Sequence, residues 1–132
     1  MASILKVDAL QGVTSAGSIT VTSEGGSATQ SLQQGLAKQW ARVAQNSTPQ
    51  SIEDSLNVSS VNDGGAGQTR FNFTNVMNNA LYSNLGIAGS SNRFCISTGS
   101  TTDGAKIIVY SVSGQTINDS THVFNNVNGD LA

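Results

Sequence analysis

Hydrophobic and polar residues alternate along most of this chain, which is the pattern of half-buried β-strands. The clearest case is LNVSSVNDGGAGQTRFNFT, in which Leu56 and Val58 precede a glycine-rich loop and Phe71 and Phe73 follow it. This pattern predicts a hairpin. Similar short runs follow in ALYSNLGIAG, RFCIST, AKIIVYSVS and THVFNNV, separated by turns rich in Gly, Ser and Asp. Regularly spaced short strands with such turns favour a sandwich or an open barrel over any α/β fold. Of these we predict a mainly β fold, an antiparallel, jelly-roll-like β-sandwich.

One segment, TQSLQQGLAKQWARVAQ at residues 29–45, has helical periodicity instead. Its apolar residues fall at helical spacing: Leu32, Leu36, Trp40 and Val43. Thr29 or Ser31 could cap the helix at its N-terminus. The helix could also end near Lys38, with WARVA continuing as a strand, and periodicity does not decide between these alternatives. We therefore predict one short helix and leave residues 40–45 open.

The first 28 residues form a separate prediction. SILKVDAL and SITVT are two short β runs, and the flexible stretch SEGGSAT follows them. Two strands are too few to bury their own apolar residues, because an isolated two-stranded hairpin is marginal in water. We therefore expect an extended N-terminal β arm at residues 1–28, which needs a partner for residues such as Ile4, Leu5, Val7 and Leu10, and a sandwich domain at residues 29–132.

The composition narrows the classes of partner. Only 11% of the residues are charged, against about 25% in a typical soluble protein, and the net charge is −2. Such a chain has no basic stripe for nucleic acid, and no apolar run approaches the length of a membrane span. The N-terminus lacks the features of a secretory signal. A thin aliphatic core and few charges favour association with copies of the same chain.

The residues that could carry chemistry are few, and each has a structural interpretation. His122 is the only histidine, so the sequence offers no histidine cluster for zinc and no second imidazole. Glu53 and Asp54 are adjacent, so on a strand they would point to opposite faces. Asp103 lies in a turn motif, and the lone Cys95 lies in an alternating run that predicts a buried, inert thiol. We predict no catalytic, cofactor-binding or metal-binding residues, and no enzyme activity.

Two further features could suggest ligand binding. The loop NDGGAGQTR lacks the Gly-Lys-Ser/Thr of a phosphate-binding loop and joins strand to strand, so it predicts a hairpin turn. Trp40, Tyr82 and Tyr110 could stack on sugars, but aromatic residues so widely spaced are more often part of a core or an interface. We expect Trp40 to be buried where the helix meets the sandwich.

The stretch LNVSSVNDGGAGQTRFNFTNVMNNALY resembles a module of tail-fibre and other virion structural proteins of tailed bacteriophages, especially marine and cyanobacterial phages. LQQGLAKQW at residues 32–40, IIVYSVSGQTINDSTHVFNNVNGD at residues 107–130 and the opening SILKVDALQG are similar to motifs of the same family and occur in the same order. The chain departs from the family pattern at WARVAQNSTPQSIEDS, where a short glycine-rich hairpin is usual, and in the polar ending VFNNV.

The resemblance implies a virion structural protein, a homotrimeric tail fibre or tail appendage component anchored to another virion protein by residues 1–28. A head fibre or a capsid decoration (cement) protein is the alternative placement. A hypothesis of another class is a carbohydrate-binding module that attaches to host surface glycan, which needs two or more aromatic residues on one exposed strand face beside a polar pocket. A depolymerase would need a pair of convergent carboxylates. The expected location is the virion, assembled in the host cytoplasm.

Overall fold

The structure is a computed structural model that describes residues 6–14 and 19–132. The elements in chain order are β1 (Thr20–Thr22), β2 (Thr29–Ser31), α1 (Leu32–Gly35), β3 (Gln39–Ala44), β4 (Ser51–Leu56), β5 (Val58–Asp63), β6 (Gln68–Phe73), β7 (Ser83–Ala88), β8 (Arg93–Thr101), β9 (Gly104–Ser111) and β10 (Val123–Asn128). They confirm the predicted mainly β fold with one short helix. The chain divides into two compact units, residues 1–36 and 37–132.

In the first unit, β1 and β2 form an antiparallel pair, and α1 is a single turn. The Ser31 hydroxyl accepts a hydrogen bond from the Gln34 backbone N–H, so Ser31 caps the turn as proposed. The strand predicted in SILKVDAL begins outside the described residues. Its described part, residues 6–10, forms no strand, and Val7 and Leu10 are exposed. The division into an arm at residues 1–28 and a sandwich at residues 29–132 stays a prediction.

The helix predicted for residues 29–45 is present only at α1. Leu36 has an extended backbone, with φ −93° and ψ 143°, and the chain continues into strand β3. Of the two alternatives for WARVA, the strand is therefore correct. The reason is long-range pairing, since β3 hydrogen-bonds to β4 on one side and to β10 on the other. Pairing of this kind overrides the local helical period.

The second unit is a sandwich of two four-stranded antiparallel sheets. Sheet 1 has the order β4-β3-β10-β7, and sheet 2 has the order β5-β6-β9-β8. The alternating residues of both sheets form the core between them, and the fully buried apolar residues include Val43, Phe71, Ile107, Val109 and Val123. A second cluster contains Phe73, Met77, Ala105 and Val127. The antiparallel sandwich predicted from the alternation is thus confirmed.

A buried polar network ties one end of the sandwich together. The Thr69 hydroxyl donates to Gln50 Oε1 at 2.7 Å and accepts from Gln45 Nε2 at 3.1 Å. Gln45 Oε1 in turn accepts from the Ser120 backbone N–H at 2.7 Å. All four residues are buried. Because a buried polar group without a partner is costly, this network specifies how β3, β4, β6 and the loop before β10 fit together.

Strands β7 and β8 lie side by side at one lateral edge of the sandwich. Gly86 in β7 faces inward, and a Cβ atom at this position would lie 2.8 Å from Ile107 Cγ2 and 3.3 Å from Cys95 Cβ. The missing side chain lets β7 approach β8 and β9 closely. Cys95 packs partly buried against the core, and burial raises the pKa of its thiol to about 11.

Candidate functional site

The outer face of sheet 1 exposes a group of large apolar side chains. These are Trp40 in β3, Leu56 in β4, Leu85 and Ile87 in β7, and Phe124 in β10, with exposed fractions from 38% to 58%. Trp40 was expected to be buried, and that prediction is wrong. In strand β3 the inward residues are Gln39, Ala41 and Val43, so alternation turns Trp40 outward.

Strand register brings these residues together. Asn126 of β10 lies opposite both Trp40 and Leu85, and Phe124 lies opposite both Arg42 and Ile87. The side chains enclose an open groove of about 820 Å³. We call this surface the groove face and define it by Trp40, Arg42, Leu85, Ile87 and Phe124.

A charged cluster borders the groove face. Glu53 forms a salt bridge with the Arg42 guanidinium, and its other carboxylate oxygen lies 3.1 Å from His122 Nε2. The Arg42 guanidinium carbon also lies 5.7 Å from the centre of the Phe124 ring, which is a cation–π distance. The three charged or ionisable side chains are partly exposed, so they supply a polar border rather than a buried reactive centre.

A β-bulge explains why sequence reasoning missed this cluster. Arg42 pairs with Asp54, whereas Val43 pairs with Ile52, so Glu53 is an extra residue in β4. We expected Glu53 and Asp54 to lie on opposite faces, but the bulge breaks the alternation. Both residues border the same groove. No signal in the sequence marks the position of this bulge.

The outer face of sheet 2 carries a second apolar group near the same lateral edge. Phe94 of β8 and Tyr110 of β9 are cross-strand neighbours, and their rings stack with centroids 5.5 Å apart at an interplanar angle of 16°. Ile96 and Ile108 are the next cross-strand pair on the same face. Phe94 and Ile96 are exposed. We call this surface the plate face and define it by Phe94, Ile96, Ile108 and Tyr110.

The aromatic residues singled out as sugar-stacking candidates do not converge. Tyr82 packs edge-on against Phe73, with ring centroids 5.9 Å apart, and its hydroxyl donates to the Gly104 carbonyl at 2.6 Å. Burial raises the pKa of the Tyr82 hydroxyl. Tyr110 belongs to the plate face, and Trp40 belongs to the groove face. The exposed aromatic pair beside polar groups is instead Trp40 and Phe124.

The remaining candidates have structural partners. The NDGGAGQTR loop is a β5–β6 hairpin turn, as predicted, in which Asp63 accepts from the Gly65 N–H at 2.8 Å. Asp103 lies in the β8–β9 turn, where it pairs with Arg70 at 3.0 Å. A hydrogen bond from the Thr101 hydroxyl lowers the pKa of the Asp103 carboxyl.

The part of the chain that the structure describes, residues 6–14 and 19–132, offers neither a metal-binding cluster nor a membrane-spanning helix. Within these ranges no three His, Cys, Asp or Glu side chains are grouped so that they could hold a metal ion. None of the described helices has the length and apolar character to cross a membrane.

Comparisons of the chain with protein-family models, with curated proteins and with solved structures find no match. The two outer faces and the resemblance of the sequence motifs are therefore the features that bear on function.

Proposed function

We propose that this chain is a structural subunit of a tailed-bacteriophage virion and that it assembles as a homotrimer through the outer faces of its sandwich. Residues 1–28 are the segment that attaches it to another virion protein. The observation that carries the proposal is the groove face, where two aromatic and two aliphatic side chains are exposed on a single sheet beside Arg42. The resemblance of the sequence motifs to those of phage structural proteins supports the virion assignment.

The chemistry of the groove face fits a protein interface. Interface centres are enriched in aromatic residues and arginine and are surrounded by polar residues. Trp40 and Phe124 lie within the groove with Arg42, while Glu53, Asp54 and Asn126 border it. Leu85 and Ile87 remain more than half exposed in the monomer. Burying apolar surface contributes about 25 cal/mol per Å², so covering these side chains stabilises an assembly.

The ionisable residues of the sandwich support a structural role because several of them pair with other side chains of the sandwich. Arg42 pairs with Glu53 and Arg70 pairs with Asp103, while the Lys106 ammonium donates to Gln68 Oε1 at 2.7 Å. These pairs join neighbouring strands across the outer faces. These charged side chains therefore have partners on neighbouring strands or turns of the sandwich.

Mapping the chain onto purified particles tests the virion assignment. We expect mass spectrometry of density-purified particles to detect the chain at a fixed ratio to the major capsid protein, and cryo-electron microscopy to place it on the tail. Placement on the capsid surface would instead favour the head-fibre or decoration alternative. Absence of the chain from purified particles would contradict the proposal.

A second candidate function is binding of host surface glycan. It is favoured by one observation, that Trp40 and Phe124 share an exposed face beside Arg42, Glu53 and Asn126. A glycan array followed by calorimetry with Trp40→Ala tests it, with Phe94→Ala on the other sheet as the control. Saturable binding that is lost only in Trp40→Ala would support this function, and no binding by the unaltered chain would exclude it for the glycans on the array.

A further inference from the structure

We infer that the subunits join head to tail: the groove face of one subunit packs on the plate face of the next, around an axis that follows the β7–β8 edge. This inference rests on the proposed self-association and specifies which surfaces form it. The groove face contacts the plate face of a second copy of this chain, and the plate face contacts the groove face of another copy.

The groove face and the plate face adjoin the same lateral edge of the sandwich. Leu85 and Ile87 of the groove face lie on edge strand β7, and Phe94 and Ile96 of the plate face lie on edge strand β8. Gly86 allows the two edge strands to approach closely. The exposed apolar residues therefore form a band that runs from one outer face to the other around a single edge of the sandwich.

The two faces differ in shape. The groove face encloses an open groove of about 820 Å³. The plate face presents the flat stacked rings of Phe94 and Tyr110, with the branched side chain of Ile96 beside them. A two-fold interface requires one surface to complement itself. A groove against a second groove leaves unfilled space, whereas the exposed side chains of Phe94 and Ile96 project toward the groove and reduce that space.

A contact between the two faces would bury an area sufficient for a protein interface. An aromatic side chain has a surface of about 150–250 Å², and an aliphatic side chain has somewhat less. Multiplied by the exposed fractions, these surfaces give roughly 400 Å² of exposed apolar area on the groove face together with Leu56, and roughly 250 Å² on the plate face. With an apolar share of about 60%, the whole contact buries about 1,100 Å². This exceeds the roughly 1,000 Å² expected of a biological interface.

A head-to-tail assembly has an unoccupied groove face at one end and an unoccupied plate face at the other until it closes on itself. A head-to-tail contact produces a closed ring when its rotation divides the circle, and otherwise it produces a filament. In the proposed homotrimer each subunit uses both faces once.

A mixing experiment with two variants of the full chain tests this arrangement. Ile87→Arg places a charge on the groove face and leaves the plate face intact, while Ile96→Arg does the opposite. Both side chains point outward and are about half exposed, at 57% and 46%. Val76→Arg is the matched control, because Val76 is 44% exposed and lies in the β6–β7 connection outside both faces. Circular dichroism and a cooperative melt confirm that each variant folds.

We expect each face variant alone to sediment as a monomer, with self-association weakened at least a hundredfold, and the control to match the unaltered chain. An equimolar mixture of the two variants should form a heterodimer, because one intact groove face meets one intact plate face.

Three results would overturn the inference. They are an unaltered assembly in Ile96→Arg, homodimers of either face variant, and a mixture that stays monomeric. A monomeric unaltered chain would overturn both this inference and the proposed trimer. The virion assignment is decided separately by the composition of purified particles.

Discussion

Thr69→Val is the most informative change within the fold, because it removes one hydroxyl and keeps the shape of the side chain. Thr69 is fully buried, and its hydroxyl both donates to Gln50 Oε1 and accepts from Gln45 Nε2. Valine can do neither, so two amide groups of buried side chains lose a partner. Each unsatisfied buried group costs about 1–3 kcal/mol. We therefore expect the free energy of unfolding to fall by about 2–5 kcal/mol.

Urea unfolding followed by circular dichroism measures this change, with the slope of the transition checked against that of the unaltered chain. Thr69→Ser is the first control, since it keeps the hydroxyl and loses one methyl group, for about 1 kcal/mol. Thr98→Val is the second, because Thr98 lies opposite Lys106 on the outer face of sheet 2, and changes at such positions are usually within about 0.5 kcal/mol. A loss below 1 kcal/mol in Thr69→Val would refute the view that this network specifies the fit of the strands.

Other predictions concern separate features of the fold. Gly86→Ala should lower the free energy of unfolding by about 1–3 kcal/mol in thermal or urea melts, because the new methyl group overlaps Ile107 and overpacks the core. Unchanged stability would show that β7 can move away from Ile107. The pKa of the Cys95 thiol is about 11, and only the thiolate reacts. Cys95 should therefore react with a thiol reagent at pH 8 about a hundredfold more slowly than an unperturbed thiol, and faster as the pH rises toward 11. A rate equal to that of free cysteine would contradict the burial of this side chain. Glu53→Gln should change stability by less than about 1 kcal/mol, since its ion pair with Arg42 is partly exposed; a larger loss would show that the cluster beside the groove is structural. Trp40 is the only tryptophan, and its fluorescence should shift to longer wavelength in Ile87→Arg relative to the unaltered assembly; identical spectra would place Trp40 outside the interface.

The sequence was sufficient for the features that depend on local alternation. Strands such as β6 and β9 alternate regularly between buried and half-buried positions, and the loop between β5 and β6 has the composition of a turn. These features predicted the antiparallel sandwich. The helical spacing of Leu32, Leu36 and Trp40 was misleading, because the strands that pair with β3 come later in the chain.

The surfaces could not be predicted, because they depend on long-range register. The groove face combines residues from β3, β7 and β10, and only the pairing of Phe124 with both Arg42 and Ile87 makes them neighbours. The bulge at Glu53 breaks the period of two that placed Glu53 and Asp54 on opposite faces. Tyr82 and Tyr110 are similar in sequence context, yet one packs against Phe73 and the other stacks on Phe94.

The mass of the unaltered chain in solution tests the central claim of self-association most directly. Sedimentation equilibrium at micromolar concentration should give about three times the monomer mass of 13.6 kDa, and Ile87→Arg should reduce it to the monomer value. A stable 13.6 kDa species across this concentration range would contradict assembly through the outer faces.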